Sequence, residues 1–269
     1  MATYHWYGAD SGNEGDFEVA ANWYTPSGTV ATEYPGENQT DHIVFDDRAA
    51  NDLDTNTDQS ANPNGIANIT VKDGFSYAIG AASEPLILKL AGSPAWLFNG
   101  EDHGDLYLVG TTTAVASCHV IKTAESDDAL HLVFADSAAT AVRVSNGTVH
   151  FDALLGGQSS SGVATLIVAE QGTSTEATVI LDAPIGTNLI LHAGVVYWLG
   201  GTVTALTQYD GTFTAERAPA GPTLTDATFY GGTLKLETGG ADLTITNAIN
   251  VYGNTANVTW NPQQTISFT

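Results

Sequence analysis

From residue 65 onward the chain alternates apolar and polar positions in short runs: "ANITV", "PLILKL", "DLYLV", "LHLVF", "AVRV", "TVHF", "ATLIVA", "ATVIL", "NLILH", "VVYWL", "LTITNAINV" and "ANVTW". Each run is four to nine residues long and is bounded by Gly, Asn, Asp or Pro. A period of two sends successive side chains to opposite faces, so each run predicts a half-buried β-strand. No window of 11 or more residues carries a helical period with caps. The pattern predicts an all-β chain.

The runs repeat. Gly147, Gly172, Gly194, Gly211, Gly232 and Gly253 each sit between two of them, at spacings of 25, 22, 17, 21 and 21 residues. Tyr209 and Tyr230 stand two positions ahead of their glycines, with Val251 next in that register. A period in the low twenties suits one coil of a right-handed parallel β-helix, or solenoid, whose coils stack to bury a face that none could bury alone. At that period the stretch 65–269 has room for roughly nine or ten coils. Asn146-Gly147, Asp210-Gly211 and Asp73-Gly74 are also strong hairpin signals, which keeps a β-sandwich or jelly roll as the alternative. Residues 1–64 are loop-rich and acidic, so they predict an N-terminal cap ahead of a solenoid body at 65–269.

Charge narrows the function. The chain has 30 Asp and Glu against 7 Lys and Arg, a formal charge of −23, so there is no basic face for nucleic acid. The longest apolar run, Leu189 to Gly201, is interrupted by His192, and no membrane span is expected. Cys118 is the only cysteine, which excludes an intramolecular disulfide, and its place in "VASCHVI" predicts a small buried hydrophobe. The opening "MATYHWYG" has neither the charged nor the apolar region of a secretory leader.

The first fifty residues carry a further pattern: Trp6, Gly8, Phe17, Asn22, Trp23, Pro35, Asp41 and the run "HIVF". It resembles the start of surface-type β-helical proteins, which include tailed-phage virion proteins of the decoration type and autotransporter-like adhesins. Phe17 stands where Trp is more usual, and the insertion before Pro35 is long. The resemblance implies a β-helix whose cap core is Trp6, Phe17, Asn22 and Trp23. An autotransporter passenger would need a secretion leader and a membrane barrel. A virion protein needs neither, so the resemblance implies a non-enzymatic capsid decoration, cement or head-surface protein located on the virion surface. The alternatives are an extracellular carbohydrate-binding or adhesive module and a polysaccharide-degrading enzyme. Expected partners are a capsid or other virion protein, a glycan in the adhesive case, and copies of the same chain in a homotrimer, a common way to cover an apolar lateral sheet.

Candidate sites are few. Asp52, Asp54, Asn56 and Asp58 in "DLDTNTD" offer oxygens at every second position, like the start of a calcium loop. Thr57 and Pro63 stand where an EF-hand needs Gly and Glu, leaving only a looser calcium site beside the reading of a solvated acidic loop. Glu101, Asp102, His103 and Asp105 in "NGEDHGD" form a second cluster, with the residue types to ligate a metal or supply a carboxylate pair, beside the reading of a polar turn. The seven histidines make no HxH or HExxH motif, and no nucleophile elbow, P-loop or dinucleotide fingerprint is present, so no catalytic residue or cofactor is assigned. Trp96, Tyr197 and Trp198 are candidate sugar-binding aromatics. The run "VVYWLGG" must turn one of Tyr197 and Trp198 outward, toward a possible interface.

Overall fold

The computed structural model describes residues 1–124, 130–169, 177–215, 222–236, 243–252, 257–259 and 266–268; Gly172 and Gly253 of the repeat lie outside them. Among the described residues the chain is all-β, and its one helical element is the short 3-10 turn Ala20–Asn22. Among these residues no helix is long and apolar enough to cross a membrane.

The strands stack as a parallel β-solenoid of about 8 turns. A first ladder starts at Thr3–Trp6 and continues through Asp41–Phe45 and Ile66–Lys72. It then takes the second half of Leu86–Asn99, followed by Ser117–Lys122, Ala139–Val144 and Val163–Val168. Ile185–Leu191, Thr202–Gln208 and Thr223–Phe229 carry it on. A second ladder runs from Asp58–Gln59 through the first half of Leu86–Asn99, Leu106–Thr111, Leu130–Phe134, Thr148–Phe151, Thr178–Leu181, Val195–Trp198, Thr212–Thr214 and Thr233–Lys235. Leu86–Asn99 turns from one ladder into the other and joins them in a single sheet. Register shifts inside the first ladder bend its strands. Thr223–Phe229 pairs with two separate strands, Leu243–Ile245 and Ile249–Val251, so the first ladder divides there.

Parallel pairing excludes the sandwich and jelly roll, which are built of antiparallel strands. The Asx-Gly pairs mark corners rather than hairpins. Gly147 and Gly211 take φ of +85° and +79°, and each amide N–H is held by the Oδ1 of the preceding Asn146 or Asp210. Among the described residues, antiparallel pairing between strands is confined to His5 and Trp6 against Tyr24 and Trp23, and to the small hairpin Leu154–Leu155/Gln158–Ser159.

One inward column shows how the sequence fills the core. Ile43, Ile69, Trp96, Cys118, Val142, Leu166, Leu189, Leu206, Ala227 and Ile249 lie one above another, at steps of 26, 27, 22, 24, 24, 23, 17, 21 and 22 residues. The early coils exceed the expected period, so fewer fit than the nine or ten that spacing alone predicts. Nine of these ten side chains are buried and Ile249 is half-buried. Each large one contributes about 1.5–3 kcal/mol of burial free energy. Burial also pushes the Cys118 thiol well above its ordinary pKa, as befits a core hydrophobe.

Residues 1–64 are not a separate layer: Thr3–Trp6 and Asp41–Phe45 are the first strands of the same ladder that continues past Gly65.

Candidate functional site

Three surface regions bring together groups that could bind something. The first lies at the N-terminal end. Trp6, Phe17 and Trp23 are fully buried, with Trp23 edge-on to both others at centroid distances of 5.0 Å. Both indoles are satisfied: Trp6 Nε1 donates to the Asn51 carbonyl (2.9 Å) and Trp23 Nε1 to the Phe17 carbonyl (2.8 Å). Asn22 organises the loop from below. Its Oδ1 accepts from the Asp10 amide (2.9 Å), and its Nδ2 donates to the carbonyls of Asn13 (2.6 Å) and Asp16 (2.9 Å). Trp6 and Trp23 therefore offer no exposed face to a sugar.

Outside this plug is an open concavity of about 340 Å3, lined by Glu14, Asp16, Asp52 and Asp54 among others. Asp52 and Asp54 are two of the four residues that the spacing suggested for calcium. The four do not converge. Asp52 Oδ1 accepts from the Ala78 amide (2.8 Å), Asn56 Nδ2 donates to Asp16 Oδ2 (2.7 Å), and Asp58 Oδ1 accepts from the Ser60 amide (3.0 Å). The segment is not a regular strand: Asn56 takes φ of +53°, and the side chains follow separate partners.

The second acidic turn also disperses. His103 is buried, with Nε2 against Thr123 Oγ1 (2.6 Å) and Nδ1 against the Gly104 carbonyl (2.7 Å), while Glu101 pairs with Lys122. Trp96 and Trp198 are core residues, with Trp198 Nε1 donating to the Gly200 carbonyl (2.7 Å). Trp198 therefore cannot serve an interface. The strand alternation that turns it inward turns Tyr197 outward.

The second region is an aromatic strip on the outside of the first ladder. His192 stacks on Tyr209 (4.9 Å, 4° between planes), Tyr209 on Tyr230 (5.1 Å, 9°) and Tyr230 on Tyr252 (5.6 Å, 21°). All three tyrosines are exposed. The tyrosine repeat was visible in the sequence, but its last member is Tyr252 rather than Val251. Phe229 pairs with Val251, which puts Tyr230 beside Tyr252.

The third region is on the outer face of the second ladder. Tyr107, His131 and His150 occupy one outward row on three successive strands. Tyr107 stacks on His131 (4.5 Å, 19°), and His131 on His150 (4.2 Å, 29°). Asp152, just past the end of Thr148–Phe151, places Oδ2 2.9 Å from His131 Nδ1. Tyr107 Oη donates to Asp105 (3.2 Å). Burial, with the neighbouring His131 second, pushes the His150 imidazole below its ordinary pKa. Burial, with Asp152 second, pushes the Asp182 carboxyl up. His131, His150 and Asp152 were not recognisable as a group in the sequence. The only available signal was the shared outward register of "LHLVF" and "TVHFD", which shows only once those strands are aligned.

No protein-family model, curated protein or solved structure matches this chain.

Proposed function

We propose that this protein is a non-enzymatic structural component of a phage virion, a capsid decoration or head-surface protein. The opening pattern around Trp6, Asn22 and Trp23 supports that setting, and the solenoid supplies a rigid body of the right kind. The strip of His192, Tyr209, Tyr230 and Tyr252 carries the docking part of the reading. Each ring is held by its neighbours, so little side-chain freedom is lost when a partner covers the row. The three tyrosines are exposed, so the row is open to a partner surface. That surface belongs to a capsid subunit, or to another copy of this chain in a homotrimer.

The test is co-sedimentation of the purified protein with capsids that lack it. Binding is expected, and a variant carrying Tyr209→Ser, Tyr230→Ser and Tyr252→Ser should lose it while keeping its β-type circular dichroism. Failure to bind capsids, or undiminished binding by the triple variant, would overturn the reading. Neighbouring genes for capsid or portal proteins would support it independently.

A second reading, an extracellular carbohydrate-binding or adhesive module, draws on the same strip, because tyrosine hydroxyls can hydrogen-bond sugars and Tyr252 is 69% exposed. Retention on a glycan array without release of reducing ends would favour it. Release of reducing ends from a polysaccharide would favour an enzyme over both.

A further inference from the structure

We propose that His131, His150 and Asp152 form a binding site for a divalent transition-metal ion of the zinc class. Among the described residues this is the one group of three potential ligands whose donor atoms all lie within 4.8 Å of one another. Ligands around an ion with bonds of about 2.0–2.2 Å sit roughly 3–3.5 Å apart, close to the 2.9 Å between His131 Nδ1 and Asp152 Oδ2. An ion there takes the place of the proton that the two atoms now share.

The donors are of the right kind. Two imidazoles and one carboxylate form a mixed nitrogen and oxygen set, which favours zinc, nickel or cobalt over calcium or magnesium. His150 is half-buried and stacks on His131, yet neither of its ring nitrogens has a hydrogen-bond partner among the described residues. The only salt-bridge partner of Asp152 among the described residues is His131. Asp182, which follows Leu181 where Leu181 pairs with Phe151, brings a second carboxylate to the same corner. Among the described residues neither Asp152 nor Asp182 has a lysine or arginine salt-bridge partner.

The scaffold keeps the site in place. Both histidines sit on strands paired on both sides, and Asp152 leads into the hairpin Leu154–Leu155/Gln158–Ser159. Leu155 of that hairpin packs on Ile87, Val109 and Val133 and pins it to the same outer face.

The test uses the full chain, stripped with a chelator, in calorimetric titrations with ZnCl2 and absorption titrations with CoCl2. One equivalent is expected to bind, with cobalt giving the visible bands of a low-coordinate nitrogen and oxygen site. His150→Gln should weaken binding roughly tenfold or more, since each ligand is part of the affinity. The pair Asp52→Asn and Asp54→Asn should leave it unchanged, as should excess CaCl2. Should His131→Gln disturb folding, the wild-type protein still provides the readout: zinc should shift the imidazole resonances of His131 and His150 ahead of those of His42 and His119. Absence of zinc and cobalt binding would overturn the proposal. So would equal affinity in folded His150→Gln, or zinc-induced shifts confined to other histidines.

Discussion

Asn22 is a single side chain on which the shape of the N-terminal loop depends. It is fully buried and uses both ends of its amide, accepting from Asp10 and donating to the carbonyls of Asn13 and Asp16. Asn22→Asp keeps the shape but turns two donor contacts into an oxygen facing carbonyl oxygens. Each buried polar group left unsatisfied costs about 1–3 kcal/mol. A loss of several kcal/mol is therefore expected in urea denaturation; a shift within error of wild type would show the loop to be held by other contacts. Asp46 depends on partners in a different way. Burial pushes its carboxyl up, but hydrogen bonds from Arg48 and His5 outweigh this and hold it at about 2, against an ordinary 3.8. A folded-state pKa below the unfolded one gives stability that is complete above the unfolded value and lost as pH falls toward 2. Burial also pushes His5 below 6.5, so its contribution erodes in the same direction as the unfolded chain takes up a proton first. The deficit of Asp46→Asn relative to wild type should be largest near pH 7 and shrink toward pH 2. A deficit independent of pH would refute this assignment.

At the level of elements, the corner glycines repeat for a reason that φ alone does not supply. A Cβ on Gly211 would lie 2.6 Å from the Gly194 carbonyl, and one on Gly232 would lie 2.5 Å from the Gly211 carbonyl. Each coil's corner rests on the backbone of the coil before it. Gly28 shares the left-handed conformation, with φ of +81°, but nothing lies within 4 Å of its Cβ position. Gly28→Ala should then cost about 1–2 kcal/mol of conformational strain alone, and Gly211→Ala distinctly more, compared by thermal melts. Equal costs would mean that the stack relaxes around an added methyl. This contact explains why the repeat was legible in the sequence: stacking demands Gly at Gly147, Gly194, Gly211 and Gly232, and alternation marks the strands between. The earlier coils carry steps of 26 and 27 residues, which blur the period. The His131, His150 and Asp152 group was hidden for a related reason. Its members meet only through lateral pairing of strands, which no local pattern records. At Asp52, Asp54, Asn56 and Asp58 local spacing records only the order of the oxygens; where each points depends on the turn at Asn56, with φ of +53°, and on contacts such as those with Ala78 and Asp16.

For the molecule as a whole, the ladder runs unbroken from Thr3 past the boundary at Gly65. The stretch 1–64 thus forms the first layer of the stack as well as its plug. Among the described residues, fifty-five buried side chains then form one continuous apolar cluster, from Tyr4 and Trp6 to Leu243 and Ile245. The chain around that cluster carries a formal charge of −23, a self-repelling balance that opposes non-specific association.

The nearly constant step between stacked positions also has a consequence in time. Adding any coil closes a loop of about 17 to 27 residues onto the coil already formed. Loop-closure entropy varies only slowly with length, so every addition meets a similar barrier. Such a chain folds as a zipper, one layer after another, rather than by a single collapse. The aromatic plug around Trp23, fully buried against Trp6 and Phe17, gives the zipper a starting layer. Pulsed hydrogen exchange during refolding is expected to protect the amides of Asp41–Phe45 before those of Thr223–Phe229. Simultaneous protection along the chain would instead mean that the coils form as one cooperative unit.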